Sequence, residues 1–181
     1  MILDLTVTAT PLGPIALHAL GECLVGVTLD GSTAPDSGVA RQLERHLGPY
    51  TTRAHDDAAG SASRLARYFG GDWTALEEQP IRLYGTEFQC RIWNALRSIP
   101  RGTTWTYAQL ADHIGRPRAV RAAGAANGAN PVSLFVPCHR VIAADGTLWG
   151  YGGGLPRKAW LLRHEGARGV ANLEQQALSL T

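Results

Sequence analysis

The spacing of apolar residues changes along this chain, and that change constrains its fold more than any other feature. Near the start, three short segments rich in β-formers (residues 3–8, 15–20 and 24–29) are separated by Pro11, Gly13-Pro14 and Gly21, and Asp30-Gly31 closes the third. Runs of this kind bounded by turn residues read as hairpin-connected strands. Val39, Leu43 and Leu47 then recur every four residues, as do Leu65 and Phe69. This predicts two helices around a linker containing Gly and Asp, and residues 81–84 predict a last strand. From Thr86 the spacing is helical. Thr86 suits a helix N-cap, Phe88, Ile92 and Leu96 form one stripe, and Pro100 with Gly102 ends the helix. The pattern predicts an α+β chain: a small N-terminal unit over 1–84, a mainly helical unit over 85–167, and a tail over 168–181 with little pattern.

The helical unit carries a second signature. Tyr107, Leu110, Ala111 and Ile114 predict a short helix, Gly115-Arg116-Pro117 breaks it, and residues 118–127 resume as another. Two short helices around a Gly-containing turn form a helix-turn-helix pattern. The second helix is almost bare, with Ala119, Ala122, Ala123, Gly124, Ala125 and Ala126, while Arg116, Arg118 and Arg121 supply positive charge. Small residues let a backbone approach a partner closely, and arginines neutralise phosphates. A helix packed tightly in a core would show the same small residues. If this helix meets DNA, it has few side chains to reach base edges, so it should read shape.

Charge is unevenly divided. Residues 1–85 hold six arginines against ten acidic residues, a net of −4, and residues 86–181 hold eleven basic against five acidic, a net of +6. The asymmetry points to a polyanion partner for the second part or to random partition of surface charge. Three widely separated cysteines give no metal-like C-x-x-C pair and no disulfide framework. The first residues lack the basic flank and apolar stretch of a secretory signal, and no apolar run is long enough to span a membrane. A cytoplasmic, reducing compartment is the expectation. His18 and Cys23 alone fall short of the four ligands of a structural zinc site, so no metal is expected.

The chemistry concentrates in residues 130–142, an apolar, strand-like run containing Cys138 and His139. A cysteine there can be a small core hydrophobe, or a nucleophile whose thiolate is favoured by the adjacent His139 and Arg140. On a regular strand neighbouring side chains point to opposite faces, so His139 reaches the sulfur only through a bend at Pro137 or through a water. Gly150-Tyr151-Gly152-Gly153-Gly154 follows as a loop that brings backbone N–H groups near a ligand, without the Lys-Ser/Thr ending of a phosphate-binding loop. Pro156 opens a last helix that reaches Glu165, with Gly166 as its stop. A carboxylate in the last turn opposes the helix dipole. It is either a solvated accident or a group held there to orient a base.

Taken together, Asn130-Pro131, Pro137-Cys138-His139-Arg140, Gly150-Tyr151-Gly152-Gly153-Gly154 and Trp160-Leu161-Leu162-Arg163-His164-Glu165-Gly166 resemble the O6-alkylguanine-DNA alkyltransferases. Phe88-Gln89, Ile99-Pro100, Gly102, Thr106-Tyr107 and Arg121-Ala122 extend the resemblance back to about residue 85. The resemblance implies an N-terminal domain of ribonuclease-H-like type, and a DNA repair protein without cofactor, monomeric, that binds duplex DNA through the minor groove. It implies that an O6-alkylated guanine is flipped out and its alkyl group passes irreversibly, once per molecule, to Cys138. His139 then matches the base acting through a water, Glu165 the carboxylate that orients it, and Asn130 the residue shaping the turn. Tyr107 matches the hydroxyl donating to guanine N3. Val141 matches a carbonyl contact to the exocyclic amine, the Gly152 amide faces O6, and Tyr151 belongs to the same substrate pocket. Arg121 matches the side chain that enters the base stack, with Ala122 beside it and Thr106, Arg118 and Arg116 on the DNA side.

Three residues depart from the pattern. Trp105 and Trp149 are bulkier than the family suggests, and Trp149, beside the pocket loop, either stacks on the base or narrows the pocket. Gly152 stands where Ser or Ala is common. Two rival readings remain: a non-catalytic alkyltransferase-like damage sensor, which lacks the acceptor cysteine, and a Cys–His hydrolase, which has no need of the bare helix and Arg121.

Overall fold

In the computed structural model, which describes residues 1–171 and residue 173, the chain divides into two units. Met1–Gly85 and Pro131–Phe135 form the first, and Thr86–Asn130 with the chain from Val136 onward forms the second.

The first unit is built on a four-stranded sheet. Strands β1 (Ile2–Thr10), β2 (Gly13–Leu20) and β3 (Cys23–Thr28) follow one another as antiparallel hairpins. The first hairpin turn is tied by the Thr10 hydroxyl, which donates to the Gly13 carbonyl at 2.7 Å. Helix α1 (Gly38–Leu47) starts at Ser37, whose hydroxyl accepts from the Ala40 amide at 3.1 Å. Its Leu43 packs with Leu3 and Val25 into one apolar cluster. The chain then returns as β4 (Thr51–Ala54), parallel to β1, giving the order β3-β2-β1-β4, and continues into α2 (Ser61–Phe69).

Two sequence expectations change here. The linker between the two helices contains β4, whose four residues are all exposed and carry no alternation. Residues 81–84 are not a strand; Ile81 makes a single bridge to Leu24. His18 lies on β2 with both ring nitrogens buried and, among the described residues, without a hydrogen-bond partner. Burial pulls its pKa down to about 4. Among the described residues, no group of three or more His, Cys, Asp or Glu is placed to hold a metal ion. No helix among them is long and apolar enough to cross a membrane.

The second unit opens with α3 (Glu87–Leu96), started by a capping box. Thr86 accepts from the Gln89 amide at 3.2 Å, and the Gln89 side chain accepts from the Thr86 amide at 2.9 Å. A second capping box, Thr106 with Gln109, starts α4 (Tyr107–His113). Gly115, at φ 69°, lies in the turn that leads to α5 (Val120–Gly128), so the helix pair forms with its second helix beginning two residues later than the spacing predicts. The Trp93 indole on α3 donates to the Ala126 carbonyl at 2.8 Å, fixing α5 against α3. Strand β5 (Trp105–Thr106) pairs in parallel with β6 (Val141–Ile142). Helix α6 (Leu155–His164) packs Ala159 and Leu162 onto Ile142 and Leu148. Of the predicted tail, Val170 and Leu173 pack against that cluster, and the Ala171 amide donates to the Gly146 carbonyl at 3.0 Å. Residue 172 and residues 174–181 lie outside the described part.

Candidate active site

The run around Cys138 is not a strand until Val141. Pro137, at φ −81° and ψ 63°, makes a tight inverse turn in which the Cys138 amide donates to the Val136 carbonyl at 2.8 Å. Cys138–Arg140 then form one turn of 3-10 helix. The side-chain amide of Asn130 donates to the same Val136 carbonyl at 2.7 Å, so a buried asparagine braces the bend. A bend at Pro137 thus replaces the strand geometry that would have set Cys138 and His139 on opposite faces.

Glu165, the C-cap of α6, carries the other half of the site. His139 Nε2 lies 3.0 Å from Glu165 Oε1. Arg140 grips the same carboxylate twice, Nε to Oε2 at 2.7 Å and Nη2 to Oε1 at 2.9 Å, while its Nη1 donates to the Ile99 carbonyl at 2.6 Å. Burial works against the Glu165 charge, but His139 and Arg140 outweigh it and hold the carboxyl well below the usual range. His139 is fully buried. Burial, with Arg140 and Lys158, depresses its pKa against the pull of Glu165.

The two directions define one protonation state. An ionised carboxylate can only accept, so Nε2 of the neutral imidazole carries the proton and donates to Glu165. Nδ1 is then a lone pair, buried and with no hydrogen-bond partner among the described residues. A thiol, a neutral imidazole and a carboxylate thus come in order, an arrangement that can serve as nucleophile, base and orienting anion in the manner of hydrolytic triads. The unfavourable place of Glu165 at a helix C-terminus is offset by this buried ion pair.

A cavity of about 600 Å³ lies on the α4–α5 side of the unit, and Thr106, Tyr107, Arg121, Trp149 and Tyr151 are among its walls. Cys138, 4% exposed, is not a wall itself, but it lies close enough for a thiolate there to act on Tyr107 and Tyr151, which are. The β5–β6 ladder explains the proximity, because it sets Trp105 beside Val141 and delivers Tyr107 next to the turn. Burial, then Cys138, raises the Tyr107 pKa, and the same two causes raise that of Tyr151. Both therefore stay protonated donors at neutral pH. The Tyr151 hydroxyl is buried without a hydrogen-bond partner among the described residues. Trp149 is 67% exposed, so its indole stands at the cavity edge.

Of the remaining predicted residues, Val141 is buried in β6 and Gly152 is exposed in the loop. On α5, Ala123, Ala126 and Asn127 face inward, while Arg121, Ala122 and Ala125 are exposed, as are Arg116 and Arg118 before it. The bare face therefore divides: one side packs and the other meets solvent flanked by arginine. Sequence reasoning placed Arg140 beside the thiol but not on Glu165, and it missed Lys158. Lys158 is fully buried on α6 and donates from Nζ to the Trp149 carbonyl at 2.7 Å. It lies seven residues before Glu165, on the same face of the helix, and a lysine at an inward position was the available signal.

Residues 87–167 match the family model described as the DNA-binding domain of 6-O-methylguanine DNA methyltransferase. The chain is 52% identical over 122 residues to the methylated-DNA–protein-cysteine methyltransferase of Salmonella typhimurium, covering 67% of this chain and 71% of that one. It is 41% identical over 167 residues to the protein of the same name from Mycobacterium tuberculosis, covering 91% and 93% respectively. In structure it is similar to Mycobacterium tuberculosis OGT in complex with DNA, with a TM-score of 0.76, 38% identity, and coverage of 96% of this chain and 98% of that one.

Proposed function

The chain belongs to the methylated-DNA–protein-cysteine methyltransferase family, and from that premise we propose that Cys138 accepts an alkyl group from O6 of a guanine flipped out of duplex DNA. The protein is a DNA repair protein whose transfer goes to its own cysteine. The observation that carries the assignment of Cys138 is the buried chain that follows it, with His139 bonded to Glu165 through Nε2 and its Nδ1 left as a lone pair. The thiol proton passes through a water to Nδ1. The thiolate attacks the alkyl carbon, the S–C bond forms as the C–O6 bond breaks, and the electron pair stays on the purine. A donor at N3 stabilises that developing charge, and Tyr107 supplies it. The thioether has no leaving route, so each molecule reacts once.

The exposed face of α5 supports binding in the minor groove. Ala122 and Ala125 allow close approach, Arg121 is free to enter the stack, and Arg116 and Arg118 face phosphates. The cavity beside Arg121 takes the extruded base, with Val141, Gly152 and Tyr151 as its contacts and Trp149 at its edge. A damage sensor without transfer is disfavoured by the presence of Cys138 itself. The protein acts as a monomer in the cytoplasm, where the thiol stays reduced. The test is to mix it with a duplex carrying O6-methylguanine and examine its peptides by mass spectrometry. One methyl group per molecule on the Cys138 peptide is expected; repeated turnover, or methyl elsewhere, overturns the assignment.

A further inference from the structure

Lys158 is fully buried and, besides its charge acting on His139, its Nζ donates to the Trp149 carbonyl at 2.7 Å. A buried ammonium is costly unless it is well bonded. The same carbonyl accepts the Tyr107 hydroxyl at 3.2 Å. A backbone carbonyl has two lone pairs and serves both donors at once. Trp149 immediately precedes Gly150, whose φ of 41° lies in the left-handed region. The direction of this carbonyl is therefore set where the chain turns into the pocket loop.

We propose that Lys158 is a positioning residue for alkyl transfer: by keeping the Trp149 carbonyl satisfied, it lets Tyr107 swing its hydroxyl from that carbonyl to N3 of the incoming purine. This rests on the reading of Tyr107 as the N3 donor. The tyrosine has one proton to donate, so it serves either the loop or the base. Without Lys158, leaving the loop strands an acceptor, a penalty comparable to the bond gained at N3, and the exchange is opposed. With Lys158, the charged and stronger donor stays in place throughout. The loop then keeps its position while the hydroxyl changes partner, and the site is already organised when the base arrives.

A double-mutant cycle separates this role from that of a simple structural peg. The single-turnover rate of methyl transfer from duplex O6-methylguanine is measured for the natural protein, Lys158→Met, Tyr107→Phe and the pair, with a thermal melt of each. Coupled neighbours show interaction equivalent to about 2- to 150-fold in rate. The Met substitution is expected to slow transfer about tenfold when Tyr107 is present and less than about threefold in the Tyr107→Phe background. Equal slowing in both backgrounds, or no slowing in either, overturns the proposal. If Lys158→Met does not fold, Lys158→Gln keeps an N–H donor on a shorter stem. It is expected to give the same non-additive pattern at smaller amplitude, and additivity there overturns the proposal equally. A Tyr107→Phe protein that transfers at full rate removes the premise and the proposal with it, while methyl missing from Cys138 in the natural protein marks failure of the transfer reading itself.

Discussion

Arg140 and Glu165 meet as a forked pair, with Nε to Oε2 at 2.7 Å and Nη2 to Oε1 at 2.9 Å, at a carboxylate that is 1% exposed. Arg140 follows Cys138 and His139 on the same turn, so one guanidinium anchors the carboxylate to which His139 Nε2 is bonded. Removing one partner of a buried pair leaves an uncompensated charge, which costs about 3–5 kcal/mol. Arg140→Met is therefore expected to destabilise by that order in denaturant titration. Arg140→Lys keeps the charge but loses the fork and the bond to Ile99, and should recover only part of the loss. If Arg140→Met melts with the natural protein, Glu165 is held by something other than this pair.

Gly102 makes a separate demand on the same carboxylate residue. Its φ is 76°, and a Cβ there would sit 3.2 Å from the Glu165 carbonyl oxygen. Both effects act against any side chain, so Gly102→Ala is expected to cost about 1–2 kcal/mol from the left-handed conformation alone. For a chain of this size that corresponds to a melting temperature lower by roughly 3–6 °C. The crowded atom belongs to Glu165, so the methyl-transfer rate should fall as well. A stability loss with an unchanged rate would show that the Glu165 backbone shifts without moving its side chain.

His18 ties stability to pH in the other unit. Its pKa is about 4 in the fold against 6.5 as the ordinary value, with burial as the cause. The unfolded chain therefore binds the proton first. Stability is full above pH 6.5, declines as pH falls toward about 4, and is flat in this respect below it. A separation of that size is worth about 3 kcal/mol at the acid end. Replacing His18 with Leu removes two buried nitrogens that have no hydrogen-bond partner among the described residues. The variant is expected to be more stable at neutral pH by about 1 kcal/mol and to lose the decline between pH 6.5 and 4. Urea titrations at several pH values check both, and a variant with the same acid slope would assign that slope elsewhere.

Local signals in the sequence carried most of the framework and little of the site's wiring. The three opening strands, the Thr86 cap and the helix pair around Gly115 are written in short-range patterns, and the structure has them. Strand β4 is not, because an exposed TTRA segment alternates nothing and forms only by pairing with β1. The turn at Cys138 looked like a strand because its apolar residues are buried on all sides, which erases periodicity. Asn130 bracing Val136 and Arg140 gripping Glu165 are contacts between side chains and distant partners, 25 residues apart in the second case. No spacing rule encodes them. The family resemblance gave Tyr107 and Glu165 their expected roles, whereas the inward position of Lys158 could be read from its spacing to Glu165 but its bond to the Trp149 carbonyl could not.

The exposed arginines before and on α5 allow a last distinction between holding DNA and opening it. Arg116 and Arg118 precede the helix, and Arg121 lies on it and is also a wall of the cavity. A side chain that only neutralises a phosphate changes affinity with salt, with a slope of about 0.9 per contact. Arg118→Ala is expected to weaken binding to every duplex alike and to lower the salt slope by about that amount. Arg121→Ala should behave differently. If it fills the stack left by the flipped nucleotide, its loss disfavours extrusion, which itself costs a few kcal/mol. Transfer from duplex O6-methylguanine should then slow by at least tenfold, while reaction with free O6-benzylguanine, which needs no flipping, stays near the natural rate. Comparable losses on both substrates would move Arg121 from flipping to the pocket, and a loss confined to the salt slope would make it one more phosphate contact.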